Sequence, residues 1–442
     1  SMIQLSSALS GRGFPVSVLD LAAEATASGL MGGHSDVSEE RLLEFCAQRI
    51  TRAGQRGRGF ALTGYSVESH QTAPLAARLC DMVRGGGFNV VGGRGEEDGE
   101  GLLRTHPAVD FVVEGEGEMP LVALASALLE KREPRGIPGL CYRLAGDVVA
   151  APSAEHNLDV ARASNLDWVN FPLYTETKFP FAGERVVPYM FVHGCPYHCA
   201  FCGDYTGGQM RTRNPELVVD DLAHISKKYE VNNFLFLNTL INPVPGYLQA
   251  FLDAMRNRRP EIRWVDSAKP TRLDRATLTA MKEAGCVALT WGIDCASPRL
   301  AKLMNKGIEL EEASDILIAA NEVGITNIVN LIQGIPHETD EDIEETVRWL
   351  DRMQPHATHI NLMRFQVMEN SLLYLYPERF DLVRTEDGKG VDEKGGLPWE
   401  EKVNQIRRSW HRVIRVAGDL GYRFVTGSDC EASSGPSYSA RQ

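Results

Sequence analysis

Two kinds of apolar pattern alternate along this chain. Short, nearly continuous apolar blocks end in glycine or polar residues, and between them lie longer stretches with apolar positions three and four apart. The first pattern predicts buried strands and the second amphipathic helices. In the first 150 residues it predicts strands over 15–21, 60–66, 89–94 and 109–118, and helices over 2–9, 73–83 and 119–129. Strand, glycine turn and helix in repetition predict an open parallel sheet, whose ligands bind beyond the carboxyl ends of the strands. Those ends are Gly64, Tyr65 and Ser66, then Gly92, Gly93 and Arg94, then Glu114, Gly115 and Glu116. The same glycines also suit ordinary turns.

Residues 151–186 lack a clear period and read as a linker, with Trp168, Phe171, Pro172 and Tyr174 packing between domains. Alternation resumes at 187. Strands are expected over 187–194, 234–237, 262–265, 287–293, 328–332 and 358–362. Helices are expected over 248–255, 274–284 with Asp274 as cap, 310–323 stopped by Gly324, and 341–353. Six strand and helix units in succession suit a parallel α/β arrangement such as a barrel, where chemistry lies at the C-terminal ends of the strands. Beyond it, an acidic glycine-rich loop at 386–396 precedes one long helix over 398–420, a region expected to cap the barrel opening. The last dozen residues read as disordered.

Composition narrows the class. The 442 residues exceed one ordinary core, and 43% hydrophobic with 24% charged residues is usual for a globular chain. A net charge of −13 argues against a nucleic-acid-coating role, and no nucleic acid partner is expected. The sequence has no apolar run long enough for a membrane span and no visible signal peptide. Nine cysteines form no disulfide framework, which suits a reducing cytoplasm.

Chemistry concentrates in Gly194-Cys195-Pro196-Tyr197-His198-Cys199-Ala200-Phe201-Cys202-Gly203, a C-x3-C-x2-C spacing. Three thiolates this close can hold three irons of a [4Fe–4S] cluster and leave the fourth iron open to an exchangeable ligand. The competing reading is a structural zinc site completed by His193 or His198, in a protein that binds a partner without catalysis. Cys46, Cys80, Cys141, Cys286 and Cys295 read as small buried hydrophobes, and Cys430 lies in the polar tail.

The flanks carry a family resemblance. An apolar strand runs into the Gly-Cys-Pro loop, and Arg211-Thr212-Arg213-Asn214-Pro215-Glu216 follows it. This resembles the radical S-adenosylmethionine (SAM) superfamily, in the branch with a cobalamin-binding domain before the barrel. The resemblance implies an α/β chain in four parts. These are a Rossmann-like, cobalamin-binding-type parallel sheet (1–150), a linker (151–186), a partial (β/α)6 radical SAM barrel (187–370) and a helical C-terminal region (371–442). The family's first strand lacks a counterpart here, so either the sheet is rebuilt or the front domain has lost its cofactor.

Site roles follow from the same resemblance. Cys195, Cys199 and Cys202 would bind the [4Fe–4S] cluster, with Tyr197 and Phe201 shielding it and touching adenine. Asn238 would meet the methionine amino group, and Lys269 and Arg272 its carboxylate. Asp294 and Ser297 lie in a Gly-x-Glu-Ser-Gly-like turn, Asp294 one methylene short of the usual Glu. Gly334 and Ile335 belong to a Gly-x-Pro-x-Glu-Thr-like turn beside adenine, where Thr339 also suits a helix cap. Met304-Asn305-Lys306-Gly307 is another family mark and equally a helix C-cap. The three sheet ends named above would line cobalamin. The implied reaction is reductive SAM cleavage and hydrogen abstraction from a small molecule or peptide. Flavodoxin or ferredoxin would supply the electron, and cobalamin-dependent C-methylation is the leading outcome. A cobalamin-independent rearrangement, cyclisation or group transfer is the alternative.

Overall fold

The structure is a computed structural model that describes residues 2–30, 37–55, 60–67, 72–83, 87–93, 99–153, 158–160, 165–169, 179–203, 210–368, 370–386 and 390–425. Arg94, Phe171, Pro172, Tyr174 and Cys430 lie outside the described residues. The chain divides into two compact units, residues 1–174 and 175–442.

The first unit runs α1 (Met2–Ser10), α2 (Leu21–Ala27), α3 (Glu39–Gln55), β1 (Leu62–Val67), α4 (Ala73–Met82), β2 (Phe88–Gly93), α5 (Gly99–Thr105), β3 (Phe111–Val113), α6 (Glu118–Leu129), β4 (Leu140–Leu144) and β5 (Asp147–Ala150). Its sheet has the order β1-β2-β3-β4-β5. The first three strands are parallel, while β4 runs antiparallel to β3 and β5 antiparallel to β4. Alternation along β2 and β3 sends Val91 and Val112 into one core cluster and Val90, Phe111 and Val113 into another, so helices cover both faces.

Two expectations for this unit are corrected. Residues 15–21 form no strand. Asp20 instead accepts from the Ala23 amide at 2.9 Å and caps the alanine-rich helix α2, whose residues favour helix over sheet. The sheet is mixed rather than wholly parallel. Ala145 and Gly146 both take positive φ, 53° and 97°, which makes the tight turn that brings β5 back along β4. That hairpin covers the edge of β3. Trp168 donates its indole N–H to Ser6 Oγ at 3.2 Å, within the same unit.

Gly93 has a φ of +146°, and a Cβ there would lie 1.9 Å from the Val67 carbonyl oxygen. Gly93→Ala is expected to cost about 1–3 kcal/mol or more, because clash and backbone strain add. Thermal unfolding followed by far-UV circular dichroism checks this, and an unchanged Tm contradicts it.

The second unit runs β6 (Val186–Tyr189), β7 (Val192–His193), β8 (Arg211–Thr212), α7 (Pro215–Tyr229), β9 (Asn233–Phe236), α8 (Tyr247–Arg258), β10 (Arg263–Ala268), α9 (Arg275–Glu283), β11 (Cys286–Asp294), α10 (Pro298–Leu303), α11 (Leu310–Glu322), β12 (Thr326–Gln333), α12 (Asp340–Met353), β13 (His359–Arg364), α13 (Leu372–Leu375), β14 (Leu382–Arg384), β15 (Val391–Glu393), α14 (Trp399–Asp419) and β16 (Arg423–Phe424). Its main sheet has the order β16-β13-β12-β11-β10-β9-β6. Every neighbouring pair is parallel, and β6 and β16 are its edges, so the barrel is open.

The caps explain where the helices start. Asn214 accepts from the Glu216 amide, Asp274 from the Thr277 amide, and Thr339 opens α12 with a reciprocal capping box to Asp342. The C-terminal region splits in two. The stretch holding α13, β14 and β15 packs Leu373, Leu382 and Val391 against Ala200 of the cysteine loop. Helix α14 lies against α12, β12 and β13, and leads into the seventh parallel strand, β16. The sequence signal for β16 is two residues long, too short for periodicity to reveal.

Candidate functional site

The cysteine loop joins β7 to β8, which pair antiparallel through Val192 with Thr212 and His193 with Arg211. The strand leading into it is fixed from below. Asn238 Oδ1 accepts from the Phe191 and Val192 amides at 2.9 and 2.8 Å, and Asn238 Nδ2 donates to Asp266 Oδ2 at 2.7 Å. Burial holds the Asp266 carboxyl well above the usual carboxylate range. Asn238 is therefore committed to the backbone that aims the loop. Arg213, just after β8, is 1% exposed and pairs with Asp221 of α7 at 3.0 Å. It also donates to the Tyr189 hydroxyl.

Gly194 turns the chain with a φ of +83°, and Cys195, Cys199 and Cys202 follow, all half-buried. Two neighbours clasp the loop. The Ala200 amide donates to Met304 O at 2.9 Å, and its carbonyl accepts from the Leu373 amide at 2.9 Å. Asn305 Nδ2 donates to His198 O at 2.9 Å. Thus the segment after α10 is a helix terminus and also a fastener of the cysteine loop.

Two ammonium groups stand beside the thiols. Lys269, 3% exposed, donates to Lys306 O at 2.8 Å and lies 3.4 Å from the Tyr197 ring centroid. Burial pulls Lys269 down to about 8, while Cys199 pulls the other way. Lys306 is 8% exposed, pairs with Asp294, and sits 5.9 Å from the Phe201 ring centroid. Burial lowers its affinity for a proton, but Asp294 outweighs this and leaves Lys306 above the usual lysine range. Burial also pushes the Cys195 thiol up. Around the loop, Ala200, Met304, Ile335, Phe365 and Leu373 form an apolar wall against which Phe201 packs.

The remaining predicted residues fall in three settings. Asp294 has a φ of +60° at a bulge in β11, and its carboxylate faces Lys306. Ser297 is buried at the N-cap of α10 and donates to Asp342 Oδ1 at 2.6 Å. Arg272 is exposed, with a φ of 57°, beside Glu312. Gly334 has a φ of +84°, its amide donates to Glu338 Oε2 at 2.9 Å, and a Cβ there would lie 2.0 Å from Ile406 of α14. Ile335 is fully buried beside it.

Asp342 gathers this side of the site. Burial raises its carboxyl, but hydrogen bonds from Arg299, Ser297 and Thr339 outweigh that and hold it at about 2. Asp342→Asn is expected to cost about 1.5–3 kcal/mol at pH 7, the range for hydrogen bonds to a charged group. The carboxyl is depressed in the fold, so its contribution is complete above the ordinary aspartate value. It fades as pH falls toward 2. Urea unfolding at pH 7 and pH 3 should show the gap between wild type and variant narrowing at the lower pH.

In the first unit the three parallel strands end level, with Val67 opposite Gly93 and Gly92 opposite Val113. Gly64 and Ser66 are exposed and Tyr65 is buried near Cys80. The Glu114 side chain accepts from the Gly99 amide at 2.9 Å. Gly115, at φ +85°, lies where a Cβ would meet Ser153 Oγ at 2.6 Å, and Glu116 follows it. Beside Gly92 and Gly93 the space is taken by the Val113 and Val67 carbonyls. Packing of the sheet on itself therefore already requires glycine at both positions.

Sequence reasoning missed three groups. Lys306 was hidden inside a motif that also reads as a helix end. Glu338, Glu393 and Lys402 are a buried charge cluster drawn from distant segments, with Lys402 Nζ 2.8 Å from Glu393 Oε1. Asn330 and Asn361 interrupt the apolar runs of β12 and β13, a signal that was visible in the sequence, and Asn361 Nδ2 donates to Asn330 Oδ1 at 3.1 Å.

Comparison with known proteins agrees with this architecture. The radical SAM superfamily profile matches residues 189–350. An uncharacterized methyltransferase of Pyrococcus horikoshii is 28% identical over 298 residues, 66% of this chain and 63% of that protein. The anaerobic magnesium-protoporphyrin IX monomethyl ester cyclase of Rubrivivax gelatinosus is 25% identical over 56% of this chain and 45% of its own. The chain thus spans less than two thirds of the length of these curated relatives. Among solved structures, the radical SAM methyltransferase TsrM of Kitasatospora setae, with cobalamin and a [4Fe–4S] cluster bound, superposes with a TM-score of 0.69 at 18% identity. That match covers 99% of this chain and 90% of TsrM. The cobalamin-dependent radical SAM enzyme OxsB gives 0.63 at 14% identity, over 83% and 59% of the two chains. The three-cysteine loop at the rim of the open parallel barrel thus lies inside a radical SAM domain over residues 189–350, in a chain whose overall fold resembles that of solved cobalamin-binding radical SAM proteins.

Proposed function

We propose that this chain cleaves SAM reductively at a [4Fe–4S] cluster held by Cys195, Cys199 and Cys202, and that it methylates an unactivated carbon of a small molecule or peptide with the help of cobalamin. The observation that carries the reading is the cysteine loop itself. It carries three half-buried thiols on a backbone that Met304, Asn305 and Leu373 clasp at His198 and Ala200, with two buried ammonium groups alongside. The donor set fits the group, since three thiolates leave one iron open and the ammoniums offset the negative charge of a thiolate-bound cluster. When bound, the cluster supplies one electron to the sulfonium, and the corrinoid supplies the methyl group.

The chain's own residues bind, orient and exclude water. Lys269 would meet the methionine carboxylate. The turn at Gly334 and Ile335 would lie beside adenine, and Glu338 holds its shape through the Gly334 amide. Phe201, Met304 and Phe365 keep the rim dry, which a reaction at a C–H bond requires. Asp294 directs Lys306, and the capped start of α10 fixes the turn between them. The electron would come from a flavodoxin or ferredoxin. Among the described residues no helix is long and apolar enough to cross a membrane.

Cobalamin would be held beyond the level ends of β1, β2 and β3, with Gly64, Ser66 and the stretch Glu114, Gly115 and Glu116 nearest to it. The glycines at 92 and 93 are already accounted for by sheet packing, and this supports a second reading, hydrogen abstraction without cobalamin. Incubating the anaerobically reconstituted protein with hydroxocobalamin and then gel-filtering it separates the two. Corrin absorption that travels with the chain is the result expected for methylation, and its loss selects the second reading.

A further inference from the structure

We infer that the amide pair Asn330 and Asn361, midway down the barrel lumen, is the substrate-recognition contact, and that it takes an uncharged substrate bearing a carbonyl acceptor beside an apolar group. The register fixes which residues face inward. Ile328 lies opposite His359, Asn330 opposite Asn361, and Ile332 opposite Met363. The lower inward positions are filled, since Phe179 stacks on His359 at 3.9 Å between ring centroids, and Phe181 packs with Val265, Ala288 and Ile328. The alternate face is turned to α14, where the Arg364 guanidinium lies 4.8 Å from the Trp410 ring centroid.

Above the plug the lumen changes character. Ser267, Thr290, Asn330, Ile332 and Asn361 are half-buried, and Met363 is 37% exposed. No charged side chain occupies an inward position in this band among the described residues. The first charges met on the way up are Lys306 and Asp294, and a Cβ on Gly292, which pairs with Asn330, would lie 3.0 Å from Lys306 Nζ. The amide pair therefore stands directly below the groups that flank the cysteine loop. Because Asn361 donates to Asn330 Oδ1, the Asn330 Nδ2 group remains to donate into the lumen. Ile332 and Met363 supply apolar contact one step higher. A charged group at this depth would be desolvated without a counter-charge, which costs several kcal/mol. A carbonyl would satisfy the amide, and a substrate lacking one would leave it unpaired.

This inference rests on the radical SAM reading for the identity of the rim, so its test reads each separately. Three ring probes are compared by saturation-transfer NMR on the reconstituted protein with SAM: δ-valerolactam (neutral carbonyl), piperidinium (cation) and cyclohexanecarboxylate (anion). Valerolactam should bind at least about fivefold more tightly than either charged probe, and Asn330→Leu should remove that advantage, the loss expected for one hydrogen bond. The wild-type comparison needs no variant, and a thermal melt shows whether Asn330→Leu is folded. Equal binding of the three probes overturns the inference. So does a lactam preference that survives in folded Asn330→Leu. Electron paramagnetic resonance (EPR) of the same samples reports whether SAM reaches the cluster, so failure of the rim assignment is seen independently.

Discussion

Changing Cys199 to Ala should leave a folded protein with far less than the roughly four irons per chain of a complete cluster, and should lower SAM cleavage by at least about 100-fold. Even residues that merely support a metal ligand cost 10–100-fold when removed, and a ligand should cost more. Cys199 is half-buried on a loop whose backbone is held by Met304 and Leu373 through Ala200, not by the thiol. The fold should therefore survive the change while the cluster does not. Iron and sulfide assays, with 5′-deoxyadenosine measured by chromatography, check it. The same loss is expected of Cys195→Ala and Cys202→Ala, whereas Cys286→Ala or Cys46→Ala should leave iron content unchanged, because those thiols are buried elsewhere. A zinc site would instead give zinc in place of iron.

The second large effect is expected at Lys402, on α14. This side chain is 1% exposed, pairs with Glu393 at 2.8 Å, and lies close enough to Glu338 to lower its pKa. Burial nevertheless raises Glu338 to about 7. The cluster continues through the His337 amide, which donates to Glu393 Oε1 at 2.7 Å, and through the Gly334 amide, which donates to Glu338. Lys402→Met keeps the volume and removes the ammonium that pairs with Glu393 and faces Glu338, leaving buried negative charge without it. Breaking a buried pair in this way costs about 3–5 kcal/mol, a fall in Tm on the order of 10 °C.

The pH dependence has a definite sign. A carboxyl raised in the fold stabilises it when protonated, and that stability is lost as pH rises from the ordinary glutamate value through about 7. Without Lys402 the carboxyl moves higher still. The deficit of Lys402→Met should therefore be smallest near pH 5 and largest above pH 7. Because Glu338 shapes the Gly334 turn, the variant should also raise KM for SAM more than it lowers kcat. Thermal melts at pH 5 and pH 8 with SAM-cleavage kinetics check both, and a pH-independent deficit contradicts the charge argument.

What could be read in advance follows the range of the interactions. The cysteine loop was legible because its three ligands lie within one short segment, and the barrel because each strand and helix carries its own period. Asp274 and Thr339 announced helix starts through local hydrogen bonds, and the structure has both. The segment 15–21 misled because a short apolar run resembles a strand until Asp20 and the alanines after it are weighed as a capped helix. The β4–β5 hairpin was overlooked although Gly146 marked its turn. Lys306 and Lys402 were out of reach, since their partners Asp294 and Glu393 are set by packing and not by periodicity. The glycines at the sheet ends suggested ligand approach, whereas the strand beside them already fills the space at Gly92 and Gly93.

The account stands most directly on EPR of the anaerobically reconstituted, dithionite-reduced chain, recorded before and after adding SAM. It predicts the signal of a reduced [4Fe–4S] cluster whose g values shift when SAM occupies the open iron. A cluster signal that SAM leaves unchanged, or protein that carries zinc and no such signal, would contradict it.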